Sequence, residues 1–421
     1  MSRYHTKRFC MENSHPTGVI PKINQIQMLL VLINIQMGKF LGLRTIDNIN
    51  RLKDMNDISS MKRKGLLMKS SLLSMLVGRL ISMPRQSSFR YPERLVRRIF
   101  YRQKYFRRLL ENSVFSILSH NYEIKNFDFC SSKNLMVTAS IDLTSKLYDV
   151  SDGKCKGVAH LVGHNYAVVC VAIHQSGELI VTGSNDKTIK LWKNTHGCGY
   201  GWECVKTLVD HTDVVTSLKF HQSIPIFLSG SSDKTAKVWL LDPEHNSAHC
   251  VTTLSGHSKD INAVAFHPSL LLGATASDDG TVKMWALSDD LSATCVATLT
   301  GHRDYVTSVE FHPTLPILAT GSRDCTVKIW ALSSDSFSAE CVADLTEHHG
   351  RVLSVAFHPV LPLLATCGWD RQVKLWLISS DYRSVTCVAN LLGHNGQITR
   401  VIFDNKNRII TCGSDGTVKL W

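Results

Sequence analysis

Short apolar runs separated by polar turns recur through the last three quarters of the chain. After His302, for example, one run extends from Val306 to Phe311, a second from Ile317 to Ser322 and a third from Val327 to Trp330. A fourth run, Cys341 to Leu345, comes just before the next such histidine. Runs of this length with β-branched residues and turn residues between them are typical of β-strands. The pattern predicts units of four short antiparallel strands whose sheets are apolar on both faces.

A histidine is the most regular landmark of the repeating unit. It stands at seven positions that are 44 to 47 residues apart: His120, His164, His211, His257, His302, His348 and His394. In the first six units an aspartate follows after 22 residues and an aromatic residue after 28, and the seventh unit is one residue shorter. A serine or threonine lies four residues before every one of these aspartates. Because a sheet that is apolar on both faces must be covered on both, repeats of this length predict sheets stacked around an axis. We therefore predict an all-β fold over residues 112–421, a seven-bladed β-propeller of four-stranded antiparallel sheets.

Four glycine-histidine pairs, each followed by the aspartate and the tryptophan, make the chain resemble the WD-repeat family. They are Gly163-His164, Gly256-His257, Gly301-His302 and Gly393-His394. The eponymous Trp-Asp dipeptide is missing, and Tyr148-Asp149 is its nearest counterpart. The resemblance implies a buried network in each repeat, in which the indole N–H donates to the hydroxyl, the hydroxyl meets the imidazole and the imidazole donates to the aspartate. In repeats two to seven these structural residues are His164, Thr182, Asp186, Trp192, His211, Ser229, Asp233, Trp239, His257, Thr275, Asp279, Trp285, His302, Thr320, Asp324, Trp330, His348, Thr366, Asp370, Trp376, His394, Thr411, Asp415 and Trp421. In the first repeat they are His120, Thr138, Asp142 and Tyr148.

A catalytic triad is the alternative interpretation of a recurring histidine, hydroxyl and carboxylate. A nucleophile is needed once, whereas this set occurs seven times. Buried polar groups that satisfy one another are the ordinary fate of such residues. We therefore predict that the protein is not an enzyme.

Two other short motifs indicate neither a cofactor nor a metal. The glycine-rich segment from Gly197 to Gly201 lacks the Lys-Ser/Thr pair of a phosphate-binding loop. His348-His349 has no second cluster at ligand spacing. We predict no cofactor and no metal site.

The last repeat stops after its third strand, at Trp421. A sheet that lacks its outer strand exposes unpaired backbone groups along that edge. The segment Ser113 to Leu118 occupies the register of a fourth strand ahead of His120. We predict that it completes the last blade and closes the ring, so that deleting residues 112–120 lowers stability much as losing a blade would.

Loops on a rigid scaffold are where binding residues concentrate. Positions one and three after each histidine, and one before each aspartate, are expected on one face of the propeller. In repeats five and six these positions carry the candidate partner-binding residues Arg303, Tyr305, Arg323, His349, Arg351 and Trp369. Arginine and large aromatic residues dominate binding energy at protein interfaces. We predict a monomeric propeller that acts as a scaffold or adaptor and binds other proteins here through an acidic or phosphorylated segment, although the same residues could simply decorate a surface.

The first 110 residues differ sharply in charge from the remainder. They hold 22 Lys and Arg against 5 Asp and Glu, whereas residues 111–421 hold 25 against 30. We predict that residues 1–111 form a basic extension of low order with a helix over 92–110, where apolar residues share one face among arginines. Such a helix could bind nucleic acid, an anionic membrane or an acidic partner, or could rest on the propeller. The stretch from Pro92 to Phe100 also resembles the start of an F-box, which would imply a substrate receptor of a ubiquitin ligase.

The cysteines and the apolar runs bear on the cellular compartment. Five cysteines recur in Cys-Val pairs, at Cys204, Cys250, Cys295, Cys341 and Cys387. Equivalent positions on separate sheets lie too far apart for disulfides, so we expect small core residues in a reducing compartment. The longest apolar run, Met28 to Ile33, is too short to span a bilayer, and no signal peptide is evident. We expect an intracellular protein, cytoplasmic or nuclear.

Overall fold

A computed structural model describes residues 115–118, 120–151, 155–195, 201–242, 246–333, 338–404 and 407–421. The described residues form 28 strands in seven antiparallel sheets of four strands each. The predicted seven-bladed propeller is therefore confirmed. The extension 1–111, its helix over 92–110 and the F-box-like stretch lie outside the described residues.

Each blade has an inner strand, two middle strands and an outer strand. The strands of blade 1 are β2 (Ile124–Cys130), β3 (Leu135–Ser140), β4 (Thr144–Asp149) and β5 (Lys156–Val162). Those of blade 2 are β6 (Val168–Ile173), β7 (Leu179–Ser184), β8 (Ile189–Asn194) and β9 (Trp202–Leu208). Those of blade 3 are β10 (Val215–Phe220), β11 (Ile226–Ser231), β12 (Thr235–Asp242) and β13 (Ser247–Ser255). Those of blade 4 are β14 (Ile261–Phe266), β15 (Leu272–Ser277), β16 (Val282–Leu287) and β17 (Ala293–Leu299).

The remaining blades follow the same order. The strands of blade 5 are β18 (Val306–Phe311), β19 (Ile317–Ser322), β20 (Val327–Leu332) and β21 (Ala339–Leu345). Those of blade 6 are β22 (Val352–Phe357), β23 (Leu363–Gly368), β24 (Gln372–Ile378) and β25 (Val385–Leu392). Those of blade 7 are β26 (Ile398–Phe403), β27 (Ile409–Gly413), β28 (Thr417–Leu420) and β1 (Phe115–Leu118).

The core consists of apolar layers between neighbouring blades. The second strands are buried along their whole length in blades 3, 4 and 5, as in β11. One layer contains Leu228 and Val238 of blade 3 together with Val264 and Trp285 of blade 4. Because both faces of each sheet are covered in this way, removal of apolar surface from water stabilises the ring as a whole.

The N-terminal strand closes the ring, as the open edge of the last repeat predicts. β1 pairs antiparallel with β28, with Phe115 opposite Leu420 and Leu118 opposite Thr417. Next to the axis, the hydroxyl of Thr399 in blade 7 donates to the carbonyl oxygen of Ile124 in blade 1 at 2.7 Å. The segment that precedes blade 1 thus supplies the outer strand of blade 7, and a hydrogen bond joins the inner strands of these two blades.

The strand connections divide the propeller into two faces. The loops that carry the recurring histidines and the turns that carry the recurring aspartates lie on what we call the upper face. The turns between first and second strands, and those between third and fourth strands, lie on the lower face.

A second series of histidines holds the lower-face turns. In His221, His267, His312 and His358 the ring Nδ1 accepts two backbone N–H groups of the turn that follows, at 2.9 to 3.3 Å. Each ring also packs against a phenylalanine of the next blade, as His312 does against Phe357 with 4.9 Å between ring centroids. An Nδ1 that accepts hydrogen bonds must be unprotonated, so these histidines are neutral. Burial lowers the pKa of His312 and of His358 to about 4.

The expectation that the Cys-Val cysteines are core residues is wrong for three of the five. Cys204, Cys295 and Cys341 are exposed, whereas Cys250 and Cys387 are half-buried and pack against apolar layers of the core. Each lies on an outer strand opposite the aromatic residue of the neighbouring strand, where the pairing register shifts, as at Trp192 and Cys204. The valine that follows each cysteine packs against an apolar layer, as Val205 and Val251 do.

Candidate functional site

The four-residue network holds the upper-face loops in place. In all seven blades the histidine Nδ1 lies 2.6 to 2.9 Å from a carboxylate oxygen of the aspartate. The histidine Nε2 lies 2.7 to 2.8 Å from the hydroxyl. In blades 2 to 7 the indole N–H donates to the same hydroxyl at 2.8 to 2.9 Å. In blade 1 the aromatic residue is Tyr148, which has no indole N–H.

The aspartate accepts hydrogen bonds from other groups besides the histidine. In blade 4 one oxygen of Asp279 accepts from the backbone N–H and the hydroxyl of Thr281, and the other from the backbone N–H of Ser258. Burial raises the pKa of Asp279, but the hydrogen bonds from Thr281 and His257 outweigh it and bring the pKa to about 2. A threonine two residues after the aspartate occurs in every repeat except the sixth, where Gln372 stands. The threonine two residues after the aspartate is therefore the sequence signal for these additional hydrogen bonds.

The network is inaccessible to a substrate. The seven hydroxyl residues are fully buried, and the side chains of the seven histidines are at most 2% exposed. Burial lowers the pKa of His164 and His257 below the ordinary value although their aspartates raise it, so these imidazoles are neutral at physiological pH. The arrangement satisfies buried polar groups and fixes the histidine loop against the aspartate turn in each blade.

The upper face of blades 5 and 6 brings together four of the six candidate partner-binding residues in two pairs. In blade 5 the Arg323 guanidinium lies over the Tyr305 ring, 4.6 Å from its centroid. In blade 6 the Arg351 guanidinium lies over the Trp369 ring at 4.4 Å. A backbone hydrogen bond holds the two residues of each pair together. The N–H of Arg323 donates to the carbonyl oxygen of Tyr305, and the N–H of Trp369 donates to the carbonyl oxygen of Arg351, both at 2.9 Å. We call these four residues the arginine–aromatic sector.

The other two candidates flank this sector. Arg303 and His349 are exposed, and their backbone N–H groups donate to Asp324 and Asp370. Lys259 of blade 4 also belongs to this surface although its position in the repeat did not predict it. Its ammonium group lies over the Tyr305 ring, 5.3 Å from the ring centroid. It stands two residues after the histidine of its repeat, whereas the predicted positions are one and three residues after it.

Charge and exposure distinguish this sector from the neighbouring blade. Trp369 is 44% exposed although its ring carries a stacked guanidinium, so the ring is available to a partner. Among the described residues, the ion pairs of lysine or arginine with carboxylates lie elsewhere and involve neither Arg323 nor Arg351. Blade 4 borders the sector with Asp278, whose pKa is raised chiefly by burial and whose carboxylate accepts from Asn262 at 2.6 Å.

Comparison with known proteins agrees with this architecture. Six segments match the family described as WD domain, G-beta repeat, at residues 153–193, 202–239, 248–286, 293–331, 339–376 and 385–421. They make up more than half of the chain. The chain belongs to the WD-repeat family. The WD-repeat matches begin at the outer strand of blade 1, so β2 to β4, where tyrosine replaces the usual tryptophan, lie outside them.

A solved structure has the same fold as this WD-repeat protein. It is described as the crystal structure of RRP9 WD40 repeats, with a TM-score of 0.63 and 22% sequence identity, over 73% of this chain and 96% of that one. No curated protein matches the sequence. WD-repeat propellers generally serve as non-catalytic scaffolds for protein interactions.

No group of three or more His, Cys, Asp or Glu side chains within the described ranges is arranged to hold a metal ion. No helix of those ranges is long and apolar enough to cross a membrane.

Proposed function

We propose that this WD-repeat protein is a scaffold or adaptor that captures an acidic or phosphorylated segment of another protein through the arginine–aromatic sector. The observation that carries the proposal is the pair of arginines stacked on aromatic rings in adjacent blades. Stacking occupies the flat face of a guanidinium and leaves its N–H edge available for hydrogen bonds. An edge of this kind matches the two oxygens of a carboxylate or phosphate.

The sector also offers the features of a binding hot spot. Arg303, His349 and Lys259 add positive or protonatable groups around the two stacked pairs. Trp369 supplies a large exposed aromatic surface next to them. Arginine and tryptophan are the residues whose truncation most often weakens protein complexes. Preorganised arginines lose less side-chain entropy on binding than free ones.

The test replaces Arg323, Arg351 and Trp369 together with alanine. Affinity purification of the full chain, with quantitative mass spectrometry, should show the principal partners lost from the variant. Peptides of that partner with glutamate or phosphoserine should then bind the wild-type chain, and binding should weaken as ionic strength rises.

The matched control removes two positive charges from the opposite side of the same face. Lys187 and Lys234 are exposed upper-face residues of blades 2 and 3. Their replacement by alanine should leave partner binding unchanged. Arg351→Lys keeps the charge and loses the planar fork, so it should bind markedly more weakly than wild type. Full retention of partners by the triple variant would place the interaction elsewhere.

A further inference from the structure

The residues beside the histidines and aspartates contact one another in a fixed order around the upper face. The residue two positions after a histidine lies against the residue just before the aspartate of its own blade, since a Cβ added to Gly350 would lie 3.1 Å from the Trp369 Cβ. It also lies against the residue just after the aspartate of the preceding blade. In this way Lys187 of blade 2 donates to the Thr212 carbonyl oxygen at 2.9 Å and lies 4.0 Å from the Asp213 carboxylate of blade 3. The repeat therefore fixes which residues are neighbours on this face.

Blade 7 has small residues at all three of these positions. They are, in this order around the face, Gly396, Ser414 and Gly416. At the position of Gly396, blades 1 to 5 carry a tyrosine, aspartate or lysine. The exposed Trp369 of blade 6 precedes the small residues, and Tyr122 of blade 1 follows them, because a Cβ on Gly416 would lie 3.3 Å from the Tyr122 carbonyl oxygen. The face is therefore lower across blade 7 than on either side, and we call this the blade 7 groove.

The blade 7 groove begins with a further arginine beside the arginine–aromatic sector. Arg371 stands just after the aspartate of blade 6 at a φ of 61°, and Lys187 has a φ of 69° at the same repeat position. Lys187 faces Asp213 of the next blade, whereas Arg371 faces Gly396. Arg371 is exposed, and within the described ranges no carboxylate forms an ion pair with it. A guanidinium without a counter-charge favours an acidic occupant for the groove.

Beyond the groove the upper face becomes apolar. Tyr122 is 62% exposed, Tyr166 is 63% exposed and Leu143 is 43% exposed, and we call these three residues the tyrosine–leucine cluster. Leu143 has a φ of 71° at the repeat position of Lys187, so it lies beside Tyr166 as Lys187 lies beside Asp213. Two exposed apolar side chains between blades 1 and 2 thus take the place of an ion pair between blades 2 and 3. Apolar side chains that are exposed together mark an interaction site.

We propose that the segment captured by the arginine–aromatic sector continues along the blade 7 groove and places a leucine side chain on the tyrosine–leucine cluster, an inference that rests on the proposed function. The acidic or phosphorylated residues of the segment bind the sector and Arg371. Charge commits the groove to this occupant, because the stacked arginines and Arg371 lie at one end of it and the apolar cluster at the other. Trp369 and Tyr122 are two blades apart, and packed sheets are about 10 Å apart, so the groove spans about six residues of extended chain.

The test measures the binding of fluorescent peptides to the full chain by anisotropy. The acidic peptide contains two glutamates alternating with two phosphoserines, then a spacer of three Gly-Ser pairs, then two glycines. The leucine peptide ends in two leucines instead, and a third peptide has the leucine sequence in reverse order. One of the two leucine-containing peptides should bind about tenfold more tightly than the acidic peptide, because the contact removes apolar surface from water.

A double variant, Leu143→Lys with Tyr166→Asp, tests the tyrosine–leucine cluster. It recreates the ion pair that Lys187 and Asp213 form in the next seam, so the fold accommodates both side chains. It should remove the advantage of the leucine peptide and leave binding of the acidic peptide unchanged. Val209→Ser removes an equally exposed apolar side chain just after the outer strand of blade 2, and it should change neither affinity.

Two single variants test the groove and the other end of the cluster. Arg371→Gly introduces the residue that blades 4 and 7 carry at this position, where Gly280 and Gly416 have φ values of 81° and 70°. It should weaken binding of the acidic and leucine peptides alike by about threefold. Tyr122→Ser should reduce the advantage of the leucine peptide at least about threefold without affecting the acidic peptide.

The outcomes separate this inference from the proposed function. If neither the acidic peptide nor a leucine-containing peptide binds the wild-type chain, both fail. If the acidic peptide binds but leucine adds no affinity in either direction, only the inference fails. It also fails if the advantage of leucine persists in the double variant and in Tyr122→Ser, or if Arg371→Gly binds both peptides as tightly as wild type.

Discussion

Removing one buried hydroxyl tests whether the four-residue network stabilises the fold. Thr320 of blade 5 is fully buried, and its hydroxyl joins Trp330 Nε1 at 2.9 Å to His302 Nε2 at 2.7 Å. Thr320→Val keeps the shape of the side chain and removes its oxygen. Both the indole N–H and the imidazole nitrogen then lose their partner in a place that water does not reach.

The magnitude follows from the two groups left unsatisfied. A buried donor or acceptor without a partner costs about 1–3 kcal/mol, so Thr320→Val, which leaves two such groups, should lower the free energy of unfolding by about 2–6 kcal/mol. Blade 1 provides a matched comparison, because Tyr148 has no indole N–H there. The Thr138 hydroxyl contacts His120 Nε2 at 2.8 Å and the Lys146 carbonyl oxygen at 3.2 Å, so no indole loses its partner when it is removed. Thr138→Val should therefore cost about half as much. Thr298 is exposed, and its hydroxyl accepts from Lys283 at 3.0 Å and lies 4.0 Å from the Cys295 sulfur; the same change there should cost less than about 0.5 kcal/mol.

Equilibrium urea denaturation followed by tryptophan fluorescence measures these differences, provided that refolding is reversible and the slope is unchanged among variants. A double-mutant cycle with Trp330→Phe isolates the indole bond, since phenylalanine has no N–H to leave unpaired. If Thr320→Val cost no more than Thr298→Val, the network would contribute nothing to stability and the reasoning would fail.

Three further outcomes follow from the structure. Gly368→Ser should destabilise the protein by about 1–3 kcal/mol in thermal melts, because a Cβ at this position would lie 2.0 Å from the Arg351 carbonyl oxygen. Five other blades carry serine at the same position, so the clash does not follow from the repeat position itself. A raised melting temperature would contradict this prediction. The free energy of unfolding should fall as the pH drops below 6.5. Burial lowers the pKa of His257, His312 and His358 in the folded state, so the unfolded chain takes up protons first. Urea midpoints that stay level from pH 7.5 to 5.5 would refute this prediction. Deletion of residues 112–118 should remove the outer strand of blade 7 and accelerate hydrogen exchange in β28, and unchanged exchange there would exclude ring closure by this segment.

The sequence alone was enough for the number of blades, the strand content and the closure of the ring. Each of these depends on a pattern that repeats seven times, so local errors average out, and the open edge after Trp421 leaves one nearby strand to complete it. The resemblance to the WD-repeat family implied which atoms of the histidine, hydroxyl, aspartate and tryptophan meet, and the structure contains these hydrogen bonds.

Tertiary structure alone decided which way side chains face and where neighbours leave space. Cys204, Cys295 and Cys341 are exposed on outer strands, whereas Cys250 and Cys387 pack against apolar layers, a difference that sequence spacing does not reveal. The stacking of Arg323 on Tyr305 and of Arg351 on Trp369 depends on loops that are distant in sequence and held together by the network. Packing between blades is a property of two repeats at once, so no single repeat could have predicted it.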